Sequence, residues 1–298
     1  LVIKCLHYQD IKNASLIADK RINHINIDNN LAYLSCGFGI VVLDLDREEV
    51  KDTYFIGELG AQVNVLSTCI AHNRIYAATN KGLYMADTGH PNLANYQAWE
   101  KLSAHSQSRV DLLESFNGLL FVNLHGEEYY TDTLYHFDGN NWVVFEQESS
   151  NVSIKAKSQE LVLTRRFGIS VYNQELNSTH YLSSGEFNLD KIDFNSAIFT
   201  DKDEFWIADK YNGLLHNDGD FFESIKPSGP FLSDGGQIVN FGDEILVAHG
   251  AKSENWDPSW HKSELSILKK DDWTTSNAIK EADFTDIVAV NKRGSTTY

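Results

Sequence analysis

Short apolar runs recur along this chain, each closed by a polar turn and followed by a second apolar run that opens on glycine. Ala32-Tyr33-Leu34-Ser35 leads to Gly39-Ile40-Val41-Val42-Leu43-Asp44, and Ile75-Tyr76-Ala77-Ala78-Thr79 leads to Gly82-Leu83-Tyr84-Met85-Ala86-Asp87. The phrase returns as Leu161-Val162-Leu163-Thr164 before Gly168-Ile169-Ser170-Val171-Tyr172-Asn173. It returns again as Phe205-Trp206-Ile207-Ala208-Asp209 before Gly213-Leu214-Leu215-His216-Asn217. Weaker copies are Leu119 to Val122, Ile245 to Ala248 and Ile287 to Val290. Anchored on Tyr33, Tyr76, Leu120, Val162, Trp206, Leu246 and Val288, the spacing stays near 42 residues through seven copies.

Each copy reads as strands. A run of β-branched and aromatic residues with no polar alternation fits a strand buried on both faces. Glycine then permits the backbone angle of the turn, and Asp or Asn ends the second strand. Asp138-Gly139-Asn140-Asn141-Trp142, Asp218-Gly219-Asp220-Phe221-Phe222 and Lys270-Asp271-Asp272-Trp273 each carry a polar turn into an aromatic, the mark of an outer hairpin. No segment has the period of a long amphipathic helix. Four strands every 40 to 50 residues or so predict an all-β fold, a β-propeller of about seven four-stranded blades. One blade leaves both its faces bare, whereas radial stacking covers them and shortens the exposed edges. A pair of β-sandwiches would explain the strands but not their even spacing.

Composition narrows the partners. Apolar residues make up 42% of the chain, with 16 Phe, 13 Tyr and 6 Trp, which excludes disorder. Lys and Arg number 25 against 42 Asp and Glu, for a net charge of −17. Such a surface repels phosphate backbones and argues against nucleic acid. No stretch approaches the roughly 20 apolar residues of a membrane span. Leu1-Val2-Ile3-Lys4 is neither a start nor a signal peptide, and Tyr298 soon follows the apolar Ile287 to Val290. Both ends read as cuts within a longer or processed protein whose export signal lies elsewhere. Cys5, Cys36 and Cys69 are odd in number and lack metal-ligand spacing. Buried free thiols are expected, a Cys36–Cys69 disulfide being the alternative.

The span Arg21 to Glu100 resembles the propeller region of PorZ-type proteins, surface components of the type IX secretion system of Bacteroidetes. The matching phrases are Ile22-Asn23-His24-Ile25, Ala32 through Asp44, Thr53-Tyr54 and Ile75 through Tyr84. Phe205 to Asp209 with Gly213-Leu214 also resembles the repeat of two-component-regulator propellers. PorZ-type proteins carry two successive seven-bladed propellers and a small C-terminal β-domain. The resemblance therefore implies one to two blades before Leu1, and a junction with a second propeller near 230–245. By the simpler count, seven anchors within residues 1–298 close one ring. It further implies a place at the cell surface, on the outer face of the outer membrane, in a complex that anchors secreted proteins. Lipopolysaccharide or another glycan is the implied ligand, with sortase-like and other attachment-complex subunits as partners. The implied role is not enzymatic, so no catalytic residue and no cofactor carries over.

Residue patterns add little chemistry of their own. The 11 histidines include no helical His-x-x-x-His and no zinc-like grouping, so no metal is expected. His24, in an apolar run, reads as a hydrogen-bonded structural residue; His249 follows a strand. Propeller glycosidases hold carboxylate pairs about 5 to 9 Å apart. Here Asp44, Asp46, Glu48 and Glu49 cluster, but Asp201-Lys202-Asp203-Glu204 falls where the repeat needs a solvated turn. Asp44, Asp87 and Asp138 recur once per unit, as scaffold does. No nucleophile elbow or phosphate-cradling glycine loop is present. The sequons at Asn13, Asn151 and Asn177 are short enough to arise by chance.

Two segments depart from the repeat. Gly250 to Ser263 replaces a short hairpin by a long polar loop with Trp256, Trp260 and His261; Asn123 to Asp132 lengthens another and carries Tyr129 and Tyr130. Aromatics on adaptable loops suit sugar stacking or a protein hot spot, and these five are the candidate ligand-binding residues. The plainer alternative is that they fold back onto the adjoining blade. Three functions remain: a binding and assembly module of the secretion apparatus, a glycan-sensing propeller of a hybrid two-component regulator, and a polysaccharide-acting propeller enzyme. Arg165-Arg166 and Lys269-Lys270 are adjacent basic pairs that could offset the acidity toward lipopolysaccharide phosphates.

Overall fold

The computed structural model describes residues 19–298 apart from 104–107, 129, 158, 190, 220–221, 226–227, 232–235, 251–254, 256, 259, 261–263, 277–278, 280, 282–284, 295 and 298. Cys5 and the sequon at Asn13 lie outside the described residues. The chain divides into two compact units, residues 1–225 and 226–298.

The first unit contains five antiparallel four-stranded sheets, each built by consecutive strands. They are β1 Ile22–Asp28, β2 Leu31–Cys36, β3 Gly39–Asp44 and β4 Glu49–Tyr54; then β5 Val65–Ala71, β6 Arg74–Thr79, β7 Gly82–Asp87 and β8 Glu100–Lys101. The third holds β9 Val110–Phe116, β10 Leu119–Leu124, β11 Asp132–Phe137 and β12 Trp142–Ser149. The fourth holds β13 Asn151–Lys157, β14 Glu160–Arg165, β15 Gly168–Tyr172 and β16 Ser178–Ser183. The fifth holds β17 Phe194–Phe199, β18 Phe205–Asp209, β19 Gly213–Asn217 and β20 Phe222–Ile225. The second unit contains a sixth sheet, β21 Gln237–Phe241, β22 Glu244–His249, β23 Glu264–Lys269 and β24 Asp272–Thr275, and a short hairpin of β25 Lys292–Arg293 and β26 Thr296–Thr297. These are propeller blades, as the repeat predicts.

Six anchors, from Tyr33 to Leu246, all fall on the second strand of their sheets. The seventh does not begin a further sheet: Val288 lies in a non-strand stretch. There Val290 donates its N–H to Gln237 Oε1 at 2.7 Å and is buried with Leu246, Ala248 and Leu265. The apolar run that mimics a seventh copy thus packs on the sixth sheet instead of pairing within one of its own.

Alternation along a strand explains why blades come in series. On β6, Ile75 and Ala77 pack with Tyr33, Ile40 and Val42 of the first sheet, while Tyr76 and Ala78 pack with Leu113, Leu120 and Val122 of the third. Phe121 and Leu134 of the third sheet likewise meet Leu161 and Leu163 of the fourth, and Val162 and Ile169 of the fourth meet Phe199 and Ile207 of the fifth. Second strands are therefore buried over most of their length. The fourth strand β16 is mostly exposed.

The recurrent Asp or Asn that ends the third strand is a turn device. Asp44 Oδ1 accepts the N–H groups of Asp46 and Arg47, and Asp87 Oδ1 that of Gly89; Asp138, Asn173 and Asn217 repeat the arrangement. Gly39 has φ 153°, and a Cβ there would run into the Tyr54 carbonyl oxygen, so the strand-opening glycine is sterically required. Cys36 and Cys69 are buried free thiols, and burial pushes Cys36 up to about 11.

Phe199, 1% exposed, packs its ring 4.7 Å from that of Phe205 and 4.5 Å from that of His180. Phe199→Ala should lower stability by about 3–5 kcal/mol, read as a fall in the urea midpoint, while Ile198→Ala on its exposed neighbour should stay within about 0.5 kcal/mol.

Candidate functional site

In all five sheets of the first unit the innermost strand slips by one residue against the second. The slips fall between Ile22 and His24, Val65 and Ser67, Val110 and Leu112, Asn151 and Ser153, and Phe194 and Ser196. The residues left over are Asn23, Leu66, Asp111, Val152 and Asn195. The sixth sheet pairs β21 with β22 without a slip. A β-bulge turns side chains away from the ladder, and here five of them turn toward one place. All five line a cavity of about 320 Å³, and four of them, Asn195 excepted, also line a second of about 510 Å³.

The larger chamber is walled by the lengthened hairpin between β10 and β11. Asp132 Oδ1 accepts the Gly126 N–H at 2.9 Å, and its Oδ2 accepts the Asn151 N–H at 2.9 Å. Asn123 Nδ2 donates to Asp111 Oδ1 at 2.8 Å, and Asn151 Nδ2 donates to Asn123 Oδ1 at 2.9 Å. His125 Nδ1 lies 3.0 Å from Asp111 and 3.3 Å from Asp132. The hairpin is thereby locked at its base to the bulge of β9 and the start of β13. Burial raises the Asp111 carboxyl above its ordinary range, opposed by the Asn123 hydrogen bond and the nearby His125 and Arg109. At the tip, Thr131 Oγ1 donates to Glu128 O at 2.7 Å, and Tyr130 is held at φ 62°. Such left-handed backbone is costly for a bulky residue and is kept where its surroundings fix it. On the opposite wall, Arg166 Nη1 donates to both oxygens of Asp193, at 3.0 and 2.9 Å.

The smaller chamber gathers polar groups from the strands just past the bulges. His24 Nδ1 lies 3.4 Å from Ser67 Oγ, His24 Nε2 lies 3.4 Å from Lys155 Nζ, and Ser153 Oγ lies 3.0 Å from Ser196 Oγ. His24 belongs to the first sheet and Lys155 to the fourth, so their contact bridges the space between innermost strands. His24 is thus hydrogen-bonded, as expected of a structural histidine, but it lines a cavity.

Of the aromatics singled out in the sequence, Tyr130 lines the larger chamber and is 46% exposed. Trp260 belongs to the second unit, stands 75% exposed and donates its backbone N–H to Asp286 Oδ2 at 2.6 Å. Tyr129, Trp256 and His261 lie outside the described residues. The Asp201 to Glu204 cluster forms the expected turn: Asp203 has φ 61°, and Asp201, with its side chain 87% exposed, accepts from Lys157 at 3.1 Å. Sequence patterns missed the five bulges, because the second strand carries the repeat and the slip lies one strand inward. The available signal was the recurrence of a polar residue 43 positions on, from His24 to Ser67 and from Ser153 to Ser196. Among the described residues no helix is long and apolar enough to cross a membrane.

Residues 4–100 match the family described as TSS9, PorZ, N-terminal beta-propeller domain, in accord with the resemblance over Arg21 to Glu100. Among solved structures the chain is similar to PorZ, a bacterial surface component of the type-IX secretion system of Porphyromonas gingivalis. The TM-score is 0.70 at 18% identity, over 94% of this chain and 37% of that one. This chain therefore spans little more than a third of that protein, and the likeness is one of fold. It is also similar to the extracellular domain of a putative hybrid two-component system from B. thetaiotaomicron (TM-score 0.48, 13% identity, 88% of this chain and 42% of that one). A third is regucalcin, a calcium-binding protein of Agrobacterium tumefaciens (TM-score 0.47, 14% identity, 79% and 83%). No curated protein matches the sequence.

Burial, then the charge of Lys155, lowers His24 from 6.5 to about 4. Between these values the unfolded chain binds a proton that the folded one refuses, so stability is full above 6.5 and is lost as pH falls toward 4. The loss should be on the order of 2–3 kcal/mol. Urea midpoints measured across this window should show the decline, and His24→Gln should flatten it.

Proposed function

We propose that this chain is a non-enzymatic binding and assembly propeller of a type IX secretion attachment complex, placed at the cell surface on the outer face of the outer membrane. The observation that carries this reading is the match of residues 4–100 to the N-terminal propeller family of PorZ. In this reading the chain is a piece of a longer two-propeller protein and works beside sortase-like and other attachment subunits to anchor secreted proteins.

The chemistry of the larger chamber supports binding over turnover. Asp111 and Asp132 already accept hydrogen bonds from Asn123, Gly126 and Asn151, so they brace the wall and are not a free acid and base pair. Arginine, amide, carboxylate and imidazole groups beside an exposed Tyr130 suit a hydroxyl-rich ligand, with the ring as a stacking surface. Lipopolysaccharide fits as that ligand through its saccharide, not its phosphates. Arg165, Arg166 and Lys269 offer phosphate little, because Arg165 is bound to Glu146, Arg166 to Asp193, and Lys269 to Glu244.

Titration of the intact protein with lipopolysaccharide at about 50 and about 500 mM NaCl should give dissociation constants within roughly twofold of each other. Tyr130→Ala should weaken binding about tenfold, the loss of a stacking contact of roughly 1.4 kcal/mol. Absence of binding at both salt concentrations, or binding that collapses at the higher one, would refute the saccharide reading.

A further inference from the structure

The smaller chamber places a cation where this chain's charge balance would not lead one to expect a bare one. Acids outnumber bases 42 to 25, and several cations near the cavities have a carboxylate within reach. Lys157 has Asp201, and Lys210 and Arg166 share Asp193. Lys155 instead points its ammonium at a neutral imidazole, 3.4 Å from His24 Nε2. Among the described residues no carboxylate contacts it, and a half-buried ammonium in that position is costly unless something else meets it. Glu114 is near enough to feel its charge but accepts from the backbone of Ser115 at 3.0 Å and lies outside the chamber lining. Asp111 does line the chamber, with its oxygens occupied by Asn123 and His125.

The protons around Lys155 are arranged to donate. An ammonium has no acceptor lone pair, so His24 Nε2 must accept from it, and the imidazole proton then sits on Nδ1. Nδ1–H donates to Ser67 Oγ, which leaves the Ser67 hydroxyl hydrogen free to turn into the chamber. In the Ser153–Ser196 pair, 3.0 Å apart, only one hydroxyl is spent on the other. The Asn195 amide, turned out by its bulge, lines the same space. Two remaining ammonium protons, two hydroxyls and an amide N–H₂ thus converge on about 320 Å³, a volume typical of small-molecule sites.

We propose that this chamber binds a small oxyanion, a phosphate or carboxylate, on Lys155, Ser67, Ser153, Ser196 and Asn195. Charge-assisted hydrogen bonds from an ammonium flanked by hydroxyls are the ordinary means of holding such a group. The assignment stands on the side chains of the first unit alone and does not depend on the secretion reading. The anion's source is either a free ion or an anionic group of a saccharide that reaches in from the larger chamber, with which this one shares Asn23, Leu66, Asp111, Leu112 and Val152.

Calorimetric titration of the intact protein with potassium phosphate, glucose 6-phosphate, glucuronate and glucose tests this directly. Phosphate should bind at one site per chain, with Lys155→Gln weakening it at least tenfold, Lys155→Arg retaining most of it and Ser196→Ala costing about threefold. In parallel, the NMR titration midpoint of His24, about 4 in the free protein, should rise on saturation with phosphate, since a neighbouring anion favours the imidazolium. Tighter binding of glucose 6-phosphate than of phosphate assigns the site to a saccharide's anionic group, and equal binding assigns it to the free ion. Phosphate binding unchanged in Lys155→Gln, an unmoved His24 midpoint, or glucose binding as well as its phosphate would overturn the proposal. Should Lys155→Gln fail to fold by circular dichroism, Ser196→Ala decides in its place: weaker binding upholds the site and unchanged binding removes it.

Discussion

A four-stranded sheet whose central strands are apolar on both faces is unstable by itself, and the rest of this molecule follows from that. Side chains alternate across a strand, so Ile75 and Ala77 need one neighbour while Tyr76 and Ala78 need another. The only covers available are other sheets with the same need. Five successive sheets of the first unit meet it pairwise, through clusters that link first to second, second to third, third to fourth and fourth to fifth. The cross-sheet hydrogen bond between the buried Ser35 and Thr68 hydroxyls, 3.1 Å long, serves the same end for the few polar groups caught between blades.

Stacking of this kind brings the innermost strands close together, and there the demand reverses. Outward strands have room for Tyr, Phe and Leu; inward strands converge and must thin out or turn their side chains. The repeated bulge is the solution in this chain. It spends one unpaired residue in each of the five sheets of the first unit, and the side chains that follow are small or polar in four of them, His24, Ser67, Ser153 and Ser196, with Leu112 in the third. The cavities arise from packing geometry, and the identity of the bulge residues then decides what they can hold.

This division also explains how much could be read from residues alone. Second strands announce themselves because burial on both faces favours apolar residues along most of their length, and so Tyr33, Tyr76, Leu120, Val162, Trp206 and Leu246 mark six sheets correctly. Val288 shows the limit of that signal: an apolar run also results when a segment packs across an existing sheet, as Val290 does. The turn-making role of Asp44, Asp87 and Asp138 was legible because each sits at one repeat position. The site was not. A one-residue slip leaves composition untouched, and Asp111, Asn123 and Asp132 are brought together only by the folded hairpin. Tyr130 stood out in the sequence because its hairpin breaks the repeat, and Trp260 stood out by the same reasoning but belongs to the other unit.

Electrostatics closes the argument. In a chain of net charge −17, the partly buried bases Arg165 and Arg166 take acid partners, Glu146 and Asp193. Bases held in this way are structural, since a charge already met by a carboxylate has little left for an incoming anion. Lys155 keeps its charge available because the group in contact with it is a histidine that burial holds neutral. Replacing that imidazole by a carboxylate would make a stronger contact and a poorer anion site. The arrangement observed is therefore the one expected where the cation faces a ligand and its neighbour only positions it.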